Sequence, residues 1–323
     1  MSVNKEASST GIAPSESTPL STPLSTPVWL GVAPGLFLLL WSLGFPVAKI
    51  GTSYVDPILF LTLRYALVLI VLAPLILWLR PPLPKRRIDW LHLTVVGILI
   101  QTIYFGFCYT AFALGASAGT VALVVSLQPI LVALFAPALV GEFIGLKRWI
   151  GFVLGLAGAV IVILGRSTIE ATSLLGLASA VGALLGMTTA TLYEKRFGVT
   201  QHPVTANAIQ YTAGLLTTLP LTIVFGSLHI TWAGEMLASL AYLVIGNSLI
   251  AITLLLAMIR HGEASRVSAL FYLVPPCAAL LAWLLIDEEM PPIAWVGMAV
   301  AAIGVALVSP RRQKRLVPTQ RQG

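Results

Sequence analysis

Ten apolar runs, each about as long as a bilayer is thick, dominate this sequence. A hydrocarbon core of about 30 Å takes roughly 20 mostly apolar helical residues. On that ruler, spans fall at 34–51, 57–79, 91–113, 118–139, 148–165, 174–193, 203–225, 236–258, 266–286 and 292–309. The connections are short and leave little chain for a soluble domain. Of the 323 residues 58% are hydrophobic and only 10% charged, against about a half and a quarter in ordinary soluble domains. So much apolar surface needs lipid to face. A soluble enzyme, a disordered chain and a nucleic-acid-binding domain are all excluded on this ground. The expected fold is all-α and polytopic, with ten transmembrane helices.

The net charge of +7 does not form a patch that would hold nucleic acid. Its clusters sit between the apolar runs, as topology signals do, because positively charged loops stay cytoplasmic. Arg80, Lys85, Arg86 and Arg87 fall in the second connection, Lys147 and Arg148 in the fourth, Lys195 and Arg196 in the sixth, and Arg260 and Arg266 in the eighth. Arg311, Arg312, Lys314, Arg315 and Arg321 occupy the C-terminal tail, and Lys5 the N-terminal one. Of the 19 Lys and Arg, only Lys49, Arg64 and Arg166 fall elsewhere. Both termini are therefore expected in the cytoplasm and the chain in the inner (plasma) membrane. Residues 1–27, rich in Ser, Thr and Pro, read as a disordered tail and lack the basic start and short apolar run of a signal peptide. Cys108 and Cys277 both lie in apolar runs, so neither a disulfide nor a metal site is expected, and no cofactor is implied.

An offset of 146 residues superimposes the two halves without gaps. Ala118, Val121, Leu127, Pro129, Ala133, Leu134, Glu142, Trp149, Gly151 and Gly158 meet their like at Ala264, Val267, Leu273, Pro275, Ala279, Leu280, Glu288, Trp295, Gly297 and Gly304. The same offset pairs Lys49 with Lys195, Pro57 with Pro203, Tyr65 with Tyr211 and Pro74 with Pro220. Each unit (28–166 and 167–310, followed by a basic tail, 311–323) holds five spans. An odd number turns the second unit upside down, giving two inverted-topology five-helix repeats around a central cavity. That arrangement is common in secondary transporters, with the solute near the midplane.

The sequence resembles the EamA-type transporters of the drug/metabolite transporter superfamily. The likeness rests on Trp41-Ser-Leu-Gly44-Phe-Pro-Val-Ala-Lys49, Arg64-Tyr65, Ser126-Leu-Gln-Pro129 followed by Gly141-Glu142, and Pro275 followed by Glu288. It covers about 34–309. It implies a carrier whose cavity is lined mainly by spans 1, 3, 4, 6, 8 and 9, exporting amino acids, aromatic ones included, or other small metabolites. Gln210 stands where the first half has Arg64, and Pro275-Pro276 replaces a single proline, so the halves differ in detail.

On those helices the candidate substrate-binding residues are Trp41, Gln101, Tyr104, Tyr109, Ser126, Gln128, Asn247, Ser268 and Tyr272. Amides and hydroxyls bond the polar end of a zwitterionic solute, and rings pack its apolar side chain. Gln101, Tyr104 and Cys108 share one face at α-helical spacing. Arg64, the one charge well inside a span, either packs structurally or binds a substrate carboxylate. Pro129 and Pro275 are candidate hinges, since proline removes a helical hydrogen bond. Glu142 and Glu288 read as caps at the starts of spans 5 and 10. Gly151, Gly155, Gly158, Gly297 and Gly304 permit close helix packing within a monomer or weak homodimer. No carboxylate lies near the centre of any span, which points to uniport or exchange rather than a proton relay. The alternatives are multidrug efflux, a channel and a non-transporting receptor. No HExxH motif or His-paired nucleophile supports an enzyme.

Overall fold

Three helices start where the sequence supplies a side-chain acceptor for their unpaired amides. Asp56 accepts the amides of Ile58 (2.9 Å) and Leu59 (3.3 Å), and Pro57 at the first position loses no bond. Ser117 accepts from the amide of Thr120 at 3.0 Å, and Ser173 from that of Gly176 at 3.2 Å. Such caps contribute about 1 kcal/mol each. In the computed structural model, which describes residues 29–128, 130–132, 134–135, 146–167, 173–254 and 273–308, the result is nearly all helical.

Among the described residues six helices are long and apolar enough to cross a membrane, alongside shorter apolar helices. In chain order we label α1 Trp29–Thr52, α2 Pro57–Leu79, α3 Arg87–Ala113, α4 Ala118–Ser126, α5 Leu146–Ser167, α6 Leu174–Phe197, α7 Pro203–Phe225, α8 Gly234–Leu254, α9 Val274–Ile286 and α10 Pro292–Val308. Leu77, Trp78, Leu216, Ile223 and Phe225 point outward, while Phe60, Leu61, Tyr65, Val68 and Leu123 are fully buried. Apolar residues thus occupy both faces, as expected of helices with protein on one side and lipid on the other.

Several boundaries depart from the hydropathy ruler. α3 begins at Arg87 and α6 runs on to Phe197, with Lys195 and Arg196 in its last turn. Cations there complement the negative end of the helix dipole, so the charges terminate the apolar run without terminating the helix. The fourth span breaks at Leu127 (φ −74°, ψ −9°), directly after α4. Leu273 has nearly the same backbone (φ −89°, ψ −11°) directly before α9, and it is the partner of Leu127 at the 146-residue offset. Pro275 then occupies the first turn of α9, where proline costs nothing. Pro129 and the tails lie outside the described residues.

A second correspondence was not legible in hydropathy. α3 widens into a π-helix over Ile98–Tyr104, and α8 does so over Leu243–Ala251. Shifted by 146, the first segment falls within the second. π-turns are rare and concentrate at functional sites.

Helices related by the offset also pack against one another. Along α2 and α7, Asp56 lies near Gly226, Thr62 bonds Thr222 (3.0 Å), Tyr65 meets Tyr211, and Pro82 accepts from Thr205 (3.1 Å). As numbers rise on one helix they fall on the other, so α2 and α7 are antiparallel. α5 and α10 are antiparallel too: Gly155 adjoins Gly304, Gly158 adjoins Gly297 and Ala301, and Gly165 adjoins Ile293. A Cβ on Gly158 would lie 2.5 Å from the Gly297 carbonyl oxygen. Here the glycines bring α5 and α10 of one chain into backbone contact.

Candidate functional site

The π-helical turns of α3 and α8 flank the most unusual group in the molecule. Arg64, on α2, is 1% exposed and does not snorkel. Its Nη1 donates to the Tyr109 hydroxyl (2.7 Å), and its Nη2 to Asn247 Oδ1 (3.0 Å) and Ser248 Oγ (2.9 Å). Its Nε also donates to Ser248 Oγ (3.2 Å). The guanidinium carbon sits 4.7 Å from the centroid of the Phe105 ring, a favourable cation–π distance. All of these partners are neutral. A guanidinium has five N–H donors; these four bonds leave one Nη1 hydrogen over.

Arg64 lines a cavity with Trp41, Gly44, Tyr104, Phe105, Tyr109 and Asn247. The cavity is about 30 Å³, on the scale of one water, whereas small-molecule sites run to about 300–1,000 Å³. In this conformation the polar centre therefore has no room for a small-molecule solute. Gly44 lets α1 close on it, since a Cβ there would lie 2.6 Å from Asn247 Nδ2.

Trp41, Arg64, Tyr104, Tyr109 and Asn247 are thus brought together by α1, α2, α3 and α8. Arg64 adds α2 to the helices that the resemblance implied. The other candidates lie elsewhere. Ser126 Oγ donates to its own helix at the Leu123 carbonyl (2.7 Å), and Gln128 Nε2, just past α4, donates to Thr191 Oγ1 on α6 (2.8 Å). Ser268 and Tyr272 lie outside the described residues. Gln101 is buried between α3 and α7, its Cβ against Gly214, and its Oε1 has no hydrogen-bond partner. It does not share a face with Tyr104 and Cys108, because the π-turn shifts the angular register between them. The same effect on α8 lets the consecutive Asn247 and Ser248 both reach Arg64. Ser248 escapes the α-helical reading for that reason.

Glu288 has a different role from the cap expected at α10. Its Oε2 accepts the Ala118 amide at the start of α4 (3.1 Å), and its Oε1 pairs with Lys49 on α1 (3.3 Å). It still serves a helix N-terminus, but that of α4, because the chain turns away at Asp287 (φ 50°) before α10 begins. The carboxylate clasps α1, α4 and the end of α9. A Lys49→Ala/Glu288→Ala double-mutant cycle, read by thermal melting, should return a coupling of about 1–3 kcal/mol. That exceeds the 1 kcal/mol ceiling of exposed pairs, because Glu288 is buried.

The profile of the EamA-like transporter family matches residues 26–164 and 174–309. The chain belongs to the EamA-like transporter family. An uncharacterized transporter of Bacillus subtilis, YvbV, is 24% identical over 279 residues, covering 84% of this chain and 88% of its own. A probable amino-acid metabolite efflux pump of Escherichia coli is 24% identical over 286 residues, covering 85% and 93%. A solved crystal structure, 22% identical, matches with a TM-score of 0.59 over 88% of this chain and 97% of its own; that likeness supports the fold alone. This EamA-like protein is a membrane transporter rather than an enzyme.

Proposed function

We propose that this transporter is an alternating-access carrier of two inverted five-helix repeats, ten spans in all. It moves small metabolites, amino acids first, out of the cell across the plasma membrane, with both termini cytoplasmic. The antiparallel packing of the offset-related pairs α2/α7 and α5/α10 supports the inverted repeats. The matching backbone at Leu127 and Leu273 and the matching π-turns support them independently.

One observation carries the substrate class: Arg64 is a buried cation whose hydrogen-bond partners are all neutral. A charge taken out of water is costly unless an opposite charge meets it, and a solute carboxylate supplies that charge. On this reading Arg64, Tyr109 and Asn247 grip the carboxylate, while Trp41, Tyr104 and Phe105 pack the side chain. Efflux of cationic drugs fits less well, because Arg64 would repel them. The names of the Escherichia coli and Salmonella typhimurium relatives, both probable amino-acid metabolite efflux pumps, agree with the proposal.

Counterflow tests it. Proteoliposomes preloaded with unlabelled phenylalanine or leucine should transiently accumulate the labelled amino acid, saturably, and amino acids in excess should compete. Flux that neither saturates nor exchanges would make the protein a channel. Exchange of organic cations in place of amino acids would make it a drug carrier.

A further inference from the structure

A second cavity lies away from the polar centre. It measures about 390 Å³ and opens between α2, α3 and α7. Ile76, Leu83, Trp90, Ile209 and Leu216 give it apolar walls, and Ala208 lies on the α7 side. Leu83, Trp90 and Leu216 are exposed, so the groove is open to whatever surrounds the helices. Its upper edge is the α2–α3 connection. That strap is fixed rather than loose: Trp90 Nε1 donates to the Pro84 carbonyl (3.1 Å), Thr205 Oγ1 to that of Pro82 (3.1 Å), and Gln201 Nε2 bonds Pro82 as well.

The strap and its two ends carry Arg80, Lys85, Arg86 and Arg87, all exposed, with Asp89 the neighbouring acid. Among the described residues none of these four cations makes an ion pair. The offset-related positions are Gly226, Thr231, Trp232 and Ala233, all neutral. The repeated framework therefore folds without charge at these places, and the cations gather at one end of the α2–α7 pair only. Four unpaired cations above an apolar groove that faces lipid match one molecule in both halves. The groove suits a hydrocarbon chain, and the cations suit a phosphate at its head. Basic pockets between membrane helices bind anionic headgroups in this way.

We propose that the groove between α2, α3 and α7 holds one anionic phospholipid, with an acyl chain against Ile76, Trp90 and Leu216 and its phosphate among Arg80, Lys85, Arg86 and Arg87. The site is separate from the central cavity and does not depend on the solute carried. Because the lipid bridges α2, α3 and α7, it stiffens the α2–α7 pair at this end.

Binding to the delipidated full-length protein in nonionic detergent tests it, counted by native mass spectrometry. Phosphatidylglycerol is titrated against phosphatidylcholine with the same chains. One phosphatidylglycerol per protein is expected at a concentration about tenfold lower than phosphatidylcholine requires. Ala208→Phe fills the groove without touching a charge and should weaken phosphatidylglycerol binding about tenfold. Thr212→Phe, exposed on the same wall, gives the same readout should Ala208→Phe not fold. The triple variant Lys85→Gln/Arg86→Gln/Arg87→Gln should bind the two lipids alike. Equal binding of both lipids by the unaltered protein overturns the proposal. So does a groove-filled variant that binds as the parent does, or displacement of the lipid by glycerol 3-phosphate alone.

Discussion

Arg64→Leu is expected to reduce amino-acid exchange a hundredfold or more while leaving the protein folded. The estimate follows from the bonds at stake. A hydrogen bond to a charged group contributes about 1.5–3 kcal/mol, and a carboxylate on a guanidinium makes up to two. Losing about 3 kcal/mol already costs more than a factor of a hundred. Folding is spared because the change removes the expensive group itself. Tyr109, Asn247 and Ser248 are neutral, so their loss of Arg64 leaves no unpaired buried charge. Arg64→Lys discriminates further: it keeps the charge but cannot reach Tyr109, Asn247 and Ser248 with one fork. It should restore part of the exchange at a raised KM. Counterflow of Arg64→Leu within threefold of the unaltered protein, at equal folded yield, would remove Arg64 from the solute site.

Gly158→Val should fail in the opposite way, by loss of the folded protein. Its Cβ would collide with the Gly297 carbonyl oxygen and the backbone of Ala301. Those atoms belong to a helix and cannot swing aside as a side-chain tip could. Overpacking costs typically 1–3 kcal/mol, occasionally more, and a backbone obstruction belongs at the upper end. The α5–α10 contact must then open along its length, because Gly155 and Gly304 meet in the same seam. Size-exclusion profiles and melting temperatures in detergent measure the effect. Val160→Leu, on the exposed face of α5, should leave both unchanged. An unaltered melting temperature for Gly158→Val would mean that the seam is not under packing constraint.

The membrane setting and the family were legible in the sequence because both rest on long-range averages. Apolar run length, the scatter of basic residues and matches such as Trp149 with Trp295 survive local irregularity. The site was legible only in part, and the reason is local geometry. Trp41, Arg64, Tyr104, Tyr109 and Asn247 line one cavity, and each was singled out by residue type within an apolar span. α-Helical counting puts Gln101 on the face of Tyr104, and the π-turn over Ile98–Tyr104 removes it. Ser248 is invisible to α-helical counting because an α-helix would turn it away from the partner of Asn247. Nothing in residues 98–104 or 243–251 announces a wider turn; it is set by packing between helices distant in sequence. Glu288 fell in the right chemical role on the wrong helix, since the left-handed turn at Asp287 decides which amide it reaches.

Tyr65 and Tyr211 occupy corresponding positions in the two matching stretches, and their rings lie 5.7 Å apart. Two equivalent groups that touch each other mark a point that stays put if the stretches trade shapes. Everything farther out must swing through an arc; this pair need only tilt. Under the proposed alternating access this pair is a fulcrum, so whatever loosens it should blur opening and closing at both faces at once.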